Sequence, residues 1–211
     1  MAGPQTLQQP RTRGPAPPPP GSPGESGNNG DGALPREDHP ARIGVWLLVG
    51  AVAILFGAFS VVYLSRRHAA DWSVGPIPLM LWINTAVLLM SSAAMEWTRA
   101  SARWDSVDEV KTALSVTTTL GIAFLVGQVI AWRQLVAAGV YMTTNPHSAF
   151  FYLFTGTHAL HLVGGVGGLM YALWKVRRSA DAAAAVVGPV ATYWHFVDDL
   201  WLYLFVILFW L

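Results

Sequence analysis

The sequence predicts an all-α integral membrane protein, a bundle of five transmembrane helices with the N-terminus inside and the C-terminus outside. Three observations predict this. Of 211 residues, 53% are hydrophobic and only 12% charged, where a soluble domain carries roughly 25% charged residues. The apolar residues gather in five runs, each near the ~20 residues that an α-helix needs to cross ~30 Å of hydrocarbon. No alternating strand pattern competes, and a helix satisfies its own backbone in lipid.

The remaining composition narrows the chemistry. Trp is abundant at 10 residues, as expected where rings sit at lipid–water interfaces. The net charge of +1 gives no basic excess pointing to nucleic acid. Cys is absent, which removes disulfides, thiolate zinc sites, iron–sulfur ligation and thiolate-bound copper.

Residues 1–41 form a separate regime, with "GPAPPPPGSPGESGNNGDGALPRED" at its centre. Such a segment cannot bury enough apolar surface to offset its ordering entropy, so a disordered tail is expected. It reads as a tether, with binding of small adaptor domains as the alternative. It is not read as a secretory signal, because the first apolar run begins only at Ile43 and is too long.

The membrane domain spans 42–211. Its first helix is expected over about 43–64, "IGVWLLVGAVAILFGAFSVVYL", stopped by Arg66 and Arg67. The second, about 77–95, enters through Pro76 and is the shortest. A mixed-charge loop, "RWDSVDEVK", then reads as solvated. The third covers about 113–132 and ends at Arg133; the fourth covers about 148–173 and closes on Lys175, Arg177 and Arg178. The fifth is expected over about 190–211. Placing the N-terminus inside collects Arg36, Arg42, Arg99, Arg103, Lys111, Lys175, Arg177 and Arg178 on the inner side, against Arg66, Arg67 and Arg133 outside. That asymmetry sets the orientation.

Ionisable residues inside spans are the functional candidates, because a charge in hydrocarbon costs several kcal/mol unless paired or hydrated. In the fifth helix, His195 shares a face with Asp198 and with Asp199, at spacings of three and four. In the fourth, His158 and His161 lie one turn apart. His161 falls at about the depth of Asp198, which predicts a contact between them that offsets part of each desolvation cost. These groups read as interhelical packing bonds, or alternatively as a proton-exchanging or partner-docking site. His-x-x-His spacing permits haem or copper, but no Cys or Met cluster accompanies it, so no metal or cofactor is assigned to this chain. Glu96 is expected at headgroup level, hydrated or paired with Arg99 or Arg103, with proton uptake as the alternative. Asn84 and Gln128 should face neighbouring helices. Gly156, Gly164 and Gly168, the last two forming G-x-x-x-G, read as close helix packing, or as room for a lipid tail.

Four segments carry a family resemblance: "LWINTAVLLMSSAAMEW", "LGIAFLVGQVIAW", "FFYLFTGTHALHLVGG" and "YWHFVDDLWLYLF". Together they resemble subunit III of the haem–copper respiratory oxidases, cytochrome c and quinol oxidases, over about Ile43 to Leu211. The resemblance implies the last five of the family's seven helices, as in shorter bacterial members. It also implies an accessory subunit in a bacterial plasma membrane with no redox metal. Such a subunit packs against subunit I, alongside subunit II and a small subunit IV. It holds structural phospholipid and supports proton uptake, while haem and copper reduce dioxygen in the partner subunits. Three positions depart from the family pattern. Val52 stands where a buried glutamate is frequent, Ala131 where another glutamate is frequent, and Asp199 where the signature is apolar. Two other functions remain open: an accessory protein of nitric oxide reductase, and an independent proton-coupled transporter built on the His–Asp set.

Overall fold

The computed structural model describes residues 40–68, 72, 78–104, 106–179 and 182–210. Five α-helices make up the described residues: α1 Pro40–Arg66, α2 Leu79–Arg103, α3 Val107–Ala137, α4 Pro146–Arg178 and α5 Ala182–Phe209. The tail expected over 1–41 lies outside the described residues, save that its last two positions already belong to α1.

The helices start and stop for local reasons. Asn145 caps α4 by accepting from the Ser148 amide at 2.7 Å, and Pro146 occupies the first turn, where its missing N–H costs nothing. Asp108 and Glu109 sit in the first turn of α3, against the positive end of the helix dipole. That helix ends where Gly139 takes a φ of 79°, a left-handed conformation that Gly adopts without a Cβ clash. Gly139 N–H then bonds to Val136 O, and Val140 N–H to Leu135 O, satisfying the last carbonyls. At the end of α4, Arg178 lies 4.3 Å over the Trp174 ring.

Every helix except the last-described end of α5 is longer than its apolar run predicts. The charged "RWDSVDEVK" stretch, expected as a loop, is mostly helix, shared between the end of α2 and the start of α3. Lys111 pairs with Asp108 within it at 3.1 Å, as Arg99 pairs with Glu96 just before it on α2 at 2.8 Å. The Ser101 hydroxyl also donates to Glu109 across the junction at 3.0 Å. Helix α5 begins at Ala182 rather than 190 because "AAAAVVG" consists largely of strong helix formers. Hydropathy reports only where lipid begins, whereas a helix continues while its backbone bonds do.

Helices α2 and α3 pack most extensively. Helix α5 packs on α1, α2 and α4, α3 also on α4, and α1 on α4 and α5. Contacting residues show the directions. Ser91 meets Trp194 and Thr85 meets Trp201, so α2 and α5 are antiparallel. Trp132 meets Thr155, so α3 and α4 align with Phe124 against His158 in the same antiparallel sense. Phe56 and Tyr63 of α1 meet Phe154 and Phe150 of α4, again antiparallel. Polarity is inverted relative to a soluble bundle. Leu47, Ile54, Val61, Leu160, Met170 and Val206 face outward, while Asn84, Ser91, Thr117, Gln128, His158 and Asp198 are buried. Four helices, α1 to α4, are long and apolar enough to cross a membrane. Helix α5 is as long, and carries His195, Asp198 and Asp199.

The sequence also offers Gly121 and Gly127 on α3 and Gly165 on α4 as packing glycines, and close packing depends on these rather than on the G-x-x-x-G pair. A Cβ at Gly121 would lie 2.6 Å from Trp194 Cη2, and one at Gly165 would lie 3.2 Å from the same indole. Gly127 admits the Asn84 side chain against the α3 backbone. By contrast, a Cβ at Gly156 or Gly168 meets nothing within 4 Å, and one at Gly164 meets only Tyr193 Oη at 4.0 Å. Packing inside this bundle therefore does not require those three glycines. Gly121→Val should destabilise the chain by about 1–3 kcal/mol, the usual range for overpacking, because the indole is held from both sides. Gly156→Ala and Gly168→Ala should leave the unfolding midpoint in detergent micelles unchanged.

Candidate functional site

The chemistry concentrates on the seam between α2 and α5. On α2 the seam residues are Thr85, Ser91, Ser92, Glu96 and Arg99, recurring at near-helical spacing on one face. On α5 they are Trp194, His195, Asp198 and Trp201. Trp201 Nε1 donates to Thr85 Oγ1 at 3.0 Å, and Trp194 Nε1 to Ser91 Oγ at 3.2 Å. Thr85 Oγ1 donates in turn to Leu81 O at 2.9 Å, so the indole proton and the hydroxyl proton are both placed. Trp132 Nε1 repeats the device between α3 and α4, donating to Thr155 Oγ1 at 3.1 Å.

A polar series runs from Asp198, at the level between the two indoles, toward the Arg99 end. His195 Nδ1 is 2.8 Å from Ser92 Oγ, and His195 Nε2 is 2.7 Å from Glu96 Oε1, close but poorly aligned for a hydrogen bond. Arg99 Nη1 holds the same Glu96 oxygen at 2.8 Å. Ser92 lies beside the Asp198 carboxyl, although neither Asp198 oxygen has a well-formed hydrogen bond among the described residues. Exposure falls along the series: the Glu96 side chain is 56% exposed, the His195 side chain 21% and Asp198 5%. The arrangement connects an accessible carboxylate to a buried one through an imidazole and a hydroxyl.

The predicted contact between His161 and Asp198 is not formed. His161 Nδ1 bonds to Thr157 O of its own helix at 2.8 Å, and its ring sits 5.8 Å from Phe56 on α1. Shared depth was the correct part of the reading; azimuth around the helix decides the partner, and His161 turns toward α1. His158 turns the other way, fully buried between Phe124 and Trp201, with ring centroids at 6.0 and 5.2 Å. Neither of its nitrogens has a partner among the described residues. The two rings therefore diverge, and their geometry does not converge on one ligand. Asn84 and Gln128 do meet: Asn84 Nδ2 lies 3.4 Å from both Gln128 Oε1 and Phe124 O, at the weak end of hydrogen bonding. Asp199 is exposed on the α1-facing side of α5, away from the seam.

Sequence reasoning missed three participants. His147 is buried in the first turn of α4 and reaches Leu208 O with Nε2 at 3.1 Å, tying α4 to α5. Trp194 and Trp201 were read only as interface rings. Their spacing of seven is close to the six residues between Thr85 and Ser91, the hydroxyls they bond, which signals a facing seam.

Residues 42–211 match the family model described as cytochrome c oxidase subunit III. The "Cytochrome c oxidase subunit 3" of Synechocystis sp. is 30% identical, covering 78% of this chain and 72% of the relative. The protein of that name from Thermostichus vulcanus is 30% identical over 82% of this chain and 89% of the relative. The "Probable cytochrome c oxidase subunit 3" of Nocardia farcinica is 31% identical over 76% and 82%. The chain belongs to the cytochrome c oxidase subunit III family. As an oxidase subunit III it is a multi-pass membrane protein of the respiratory chain, and part of a complex with other subunits. In this subunit III the α2–α5 seam should be held by the indole bonds. Trp201→Phe should cost about 1 kcal/mol, near the upper half of the range for interhelical bonds in membranes. Adding Thr85→Val should cost little more, because the pair is one bond. A double-mutant cycle of denaturant unfolding in micelles measures that coupling.

Proposed function

We propose that this chain is the non-redox accessory subunit III of a proton-pumping haem–copper terminal oxidase in a bacterial plasma membrane. It stabilises subunit I, with subunit II and a small subunit IV in the same assembly, and it assists proton uptake and holds phospholipid. Dioxygen is reduced to water at haem and copper in the partner subunits.

The observation that carries the reading is the series Glu96–His195–Ser92–Asp198. Glu96 Oε1 lies at the accessible end, where it takes a proton from water. His195 receives a proton at Nε2 and releases one from Nδ1 toward Ser92. Arg99 fixes the carboxylate beside the imidazole. The polar series is tolerated in hydrocarbon because α2 and α5 enclose it.

Five spans are proposed, with the N-terminus inside and the C-terminus outside. Helix α5 supports the fifth span by running antiparallel to both α2 and α4, through Ser91–Trp194 and His147–Leu208. The alternating helix directions bring Arg42, Arg99, Arg103, Lys111, Lys175, Arg177 and Arg178 to one end, which agrees with a cytoplasmic face. At that end a cavity of about 590 Å³ is lined by Arg42, Arg99, Arg103, Trp46 and the first turns of α5. Cationic side chains beside an indole suit an anionic phospholipid headgroup.

A tag on this chain, purified in mild detergent, should bring haem absorbance and the other oxidase subunits with it. A colourless chain that elutes alone overturns the reading. Within the intact oxidase, Glu96→Gln and His195→Phe should each slow proton uptake severalfold while the haem spectrum stays unchanged. Asp108→Asn, at an exposed carboxylate of the same end, should not. Uptake unaffected by both seam substitutions removes the relay.

A further inference from the structure

With α5 as the proposed fifth span, Asp199 is the one carboxylate among the described residues that is exposed well away from both ends of its helix. At 1.5 Å per residue it stands about 26 Å from the Ala182 end of α5 and about 15 Å from the Phe209 end. It lines a cavity of about 380 Å³ between α1 and α5, with Ala53, Phe56 and Gly57 from α1 and Phe196, Leu200 and Tyr203 from α5. None of these neighbours carries a charge. The one polar group among them, the Tyr203 hydroxyl, already donates to Ser60 Oγ at 2.8 Å. Asp199 has no hydrogen bond or ion pair among the described residues, and the next carboxyl along the chain is Asp198, a like charge. The groove has room, because a Cβ at Gly57 meets nothing within 4 Å.

We propose that this groove docks a transmembrane helix of another oxidase subunit through a lysine or arginine that pairs with Asp199. Acyl chains offer no donor. A neutral hydroxyl would leave a net charge in hydrocarbon, where its cost is several kcal/mol. A cation at the same depth neutralises the carboxylate, and each charge offsets part of the other's desolvation cost. An apolar helix surface then fills the space beside Gly57 and Phe56. The inference rests on membership of the oxidase complex and adds the face and the chemistry of one contact.

The test uses the intact oxidase, purified through a tag on another subunit. Asp199→Leu should reduce the amount of this chain retained severalfold, and Asp199→Asn by less, because the amide still accepts a hydrogen bond. Asp199→Glu should keep it near the wild-type level. Gly57→Leu leaves the carboxylate intact but fills the groove, and should also reduce retention. Equal unfolding midpoints of the purified variants exclude misfolding as the source of loss. Because the chain has no Cys, Gly57→Cys places the only thiol of this chain in the groove, and a short photo-activated maleimide cross-link that the Cys-free wild-type chain does not give reports on it. A product joining this chain to one other subunit supports the proposal. Wild-type retention of Asp199→Leu overturns it, as does a cross-link only to lipid or to a second copy. Failure of the wild-type chain to co-purify with haem would instead overturn the oxidase assignment itself.

Discussion

The bonds that indole N–H groups make to hydroxyls across helix pairs hold this bundle in register. In hydrocarbon, apolar side chains gain little by meeting each other rather than lipid, so packing and polar bonds must select the neighbours. Trp194 does both. Its ring fills a notch made by Gly121 on α3 and Gly165 on α4, and its N–H reaches Ser91 on α2. One side chain of α5 thus fixes its position relative to three other helices. Sliding α5 by one turn would drive the indole into a backbone with a Cβ, and would leave its donor unpaired where no water can replace the bond.

That registration places His195 between Ser92 and Glu96. Ser91 and Ser92 differ by about 100° around α2, as do Trp194 and His195 around α5, so adjacent residues serve adjacent tasks. The first pair locks the helices and the second carries the polar series. Because the polar series is built on a packing seam, its spacing is set by the rigid indole contacts rather than by its own weaker contacts. Asp198 and His158 lie deeper, both near Trp201, with acceptor and donor capacity left unused by the described residues. Such groups are costly to bury without partners.

Much of this was legible in the sequence. The five apolar runs gave five helices, and inward-facing polarity followed from the cost of polar groups in lipid. Helix ends were not legible, because the Ala-rich start of α5 and the ion-paired turns of α2 and α3 lie beyond the hydrocarbon signal. Within the site, hydropathy and rise per residue gave depth correctly for His161 and Asp198. Rotation about the helix axis was missing, and it sends His161 to Phe56 instead. The packing glycines show the same limitation. Gly164 and Gly168 form a recognisable pattern, yet the notch for Trp194 uses Gly165, displaced by one residue and therefore on another face.

Azimuth also separates Val52 and Asp199, two of the three positions that depart from the pattern the resemblance implies. Val52 is 3% exposed and belongs to the core beneath α1. A glutamate there would point into the bundle, toward the ring of Phe56 and its neighbours on α4. Asp199 lies across the α1–α5 boundary, next to Ala53, but opens outward. The carboxylate gained on α5 is therefore no substitute for one lacking on α1, although both sit near the same pair of helices. An inward carboxylate must be satisfied by its own chain, and an outward one by whatever covers the groove. With Val52 the bundle holds no buried charge at that position. In the proposed docking, Asp199 makes the groove selective, because a helix bringing a complementary charge offsets part of the carboxylate's cost and an apolar helix does not.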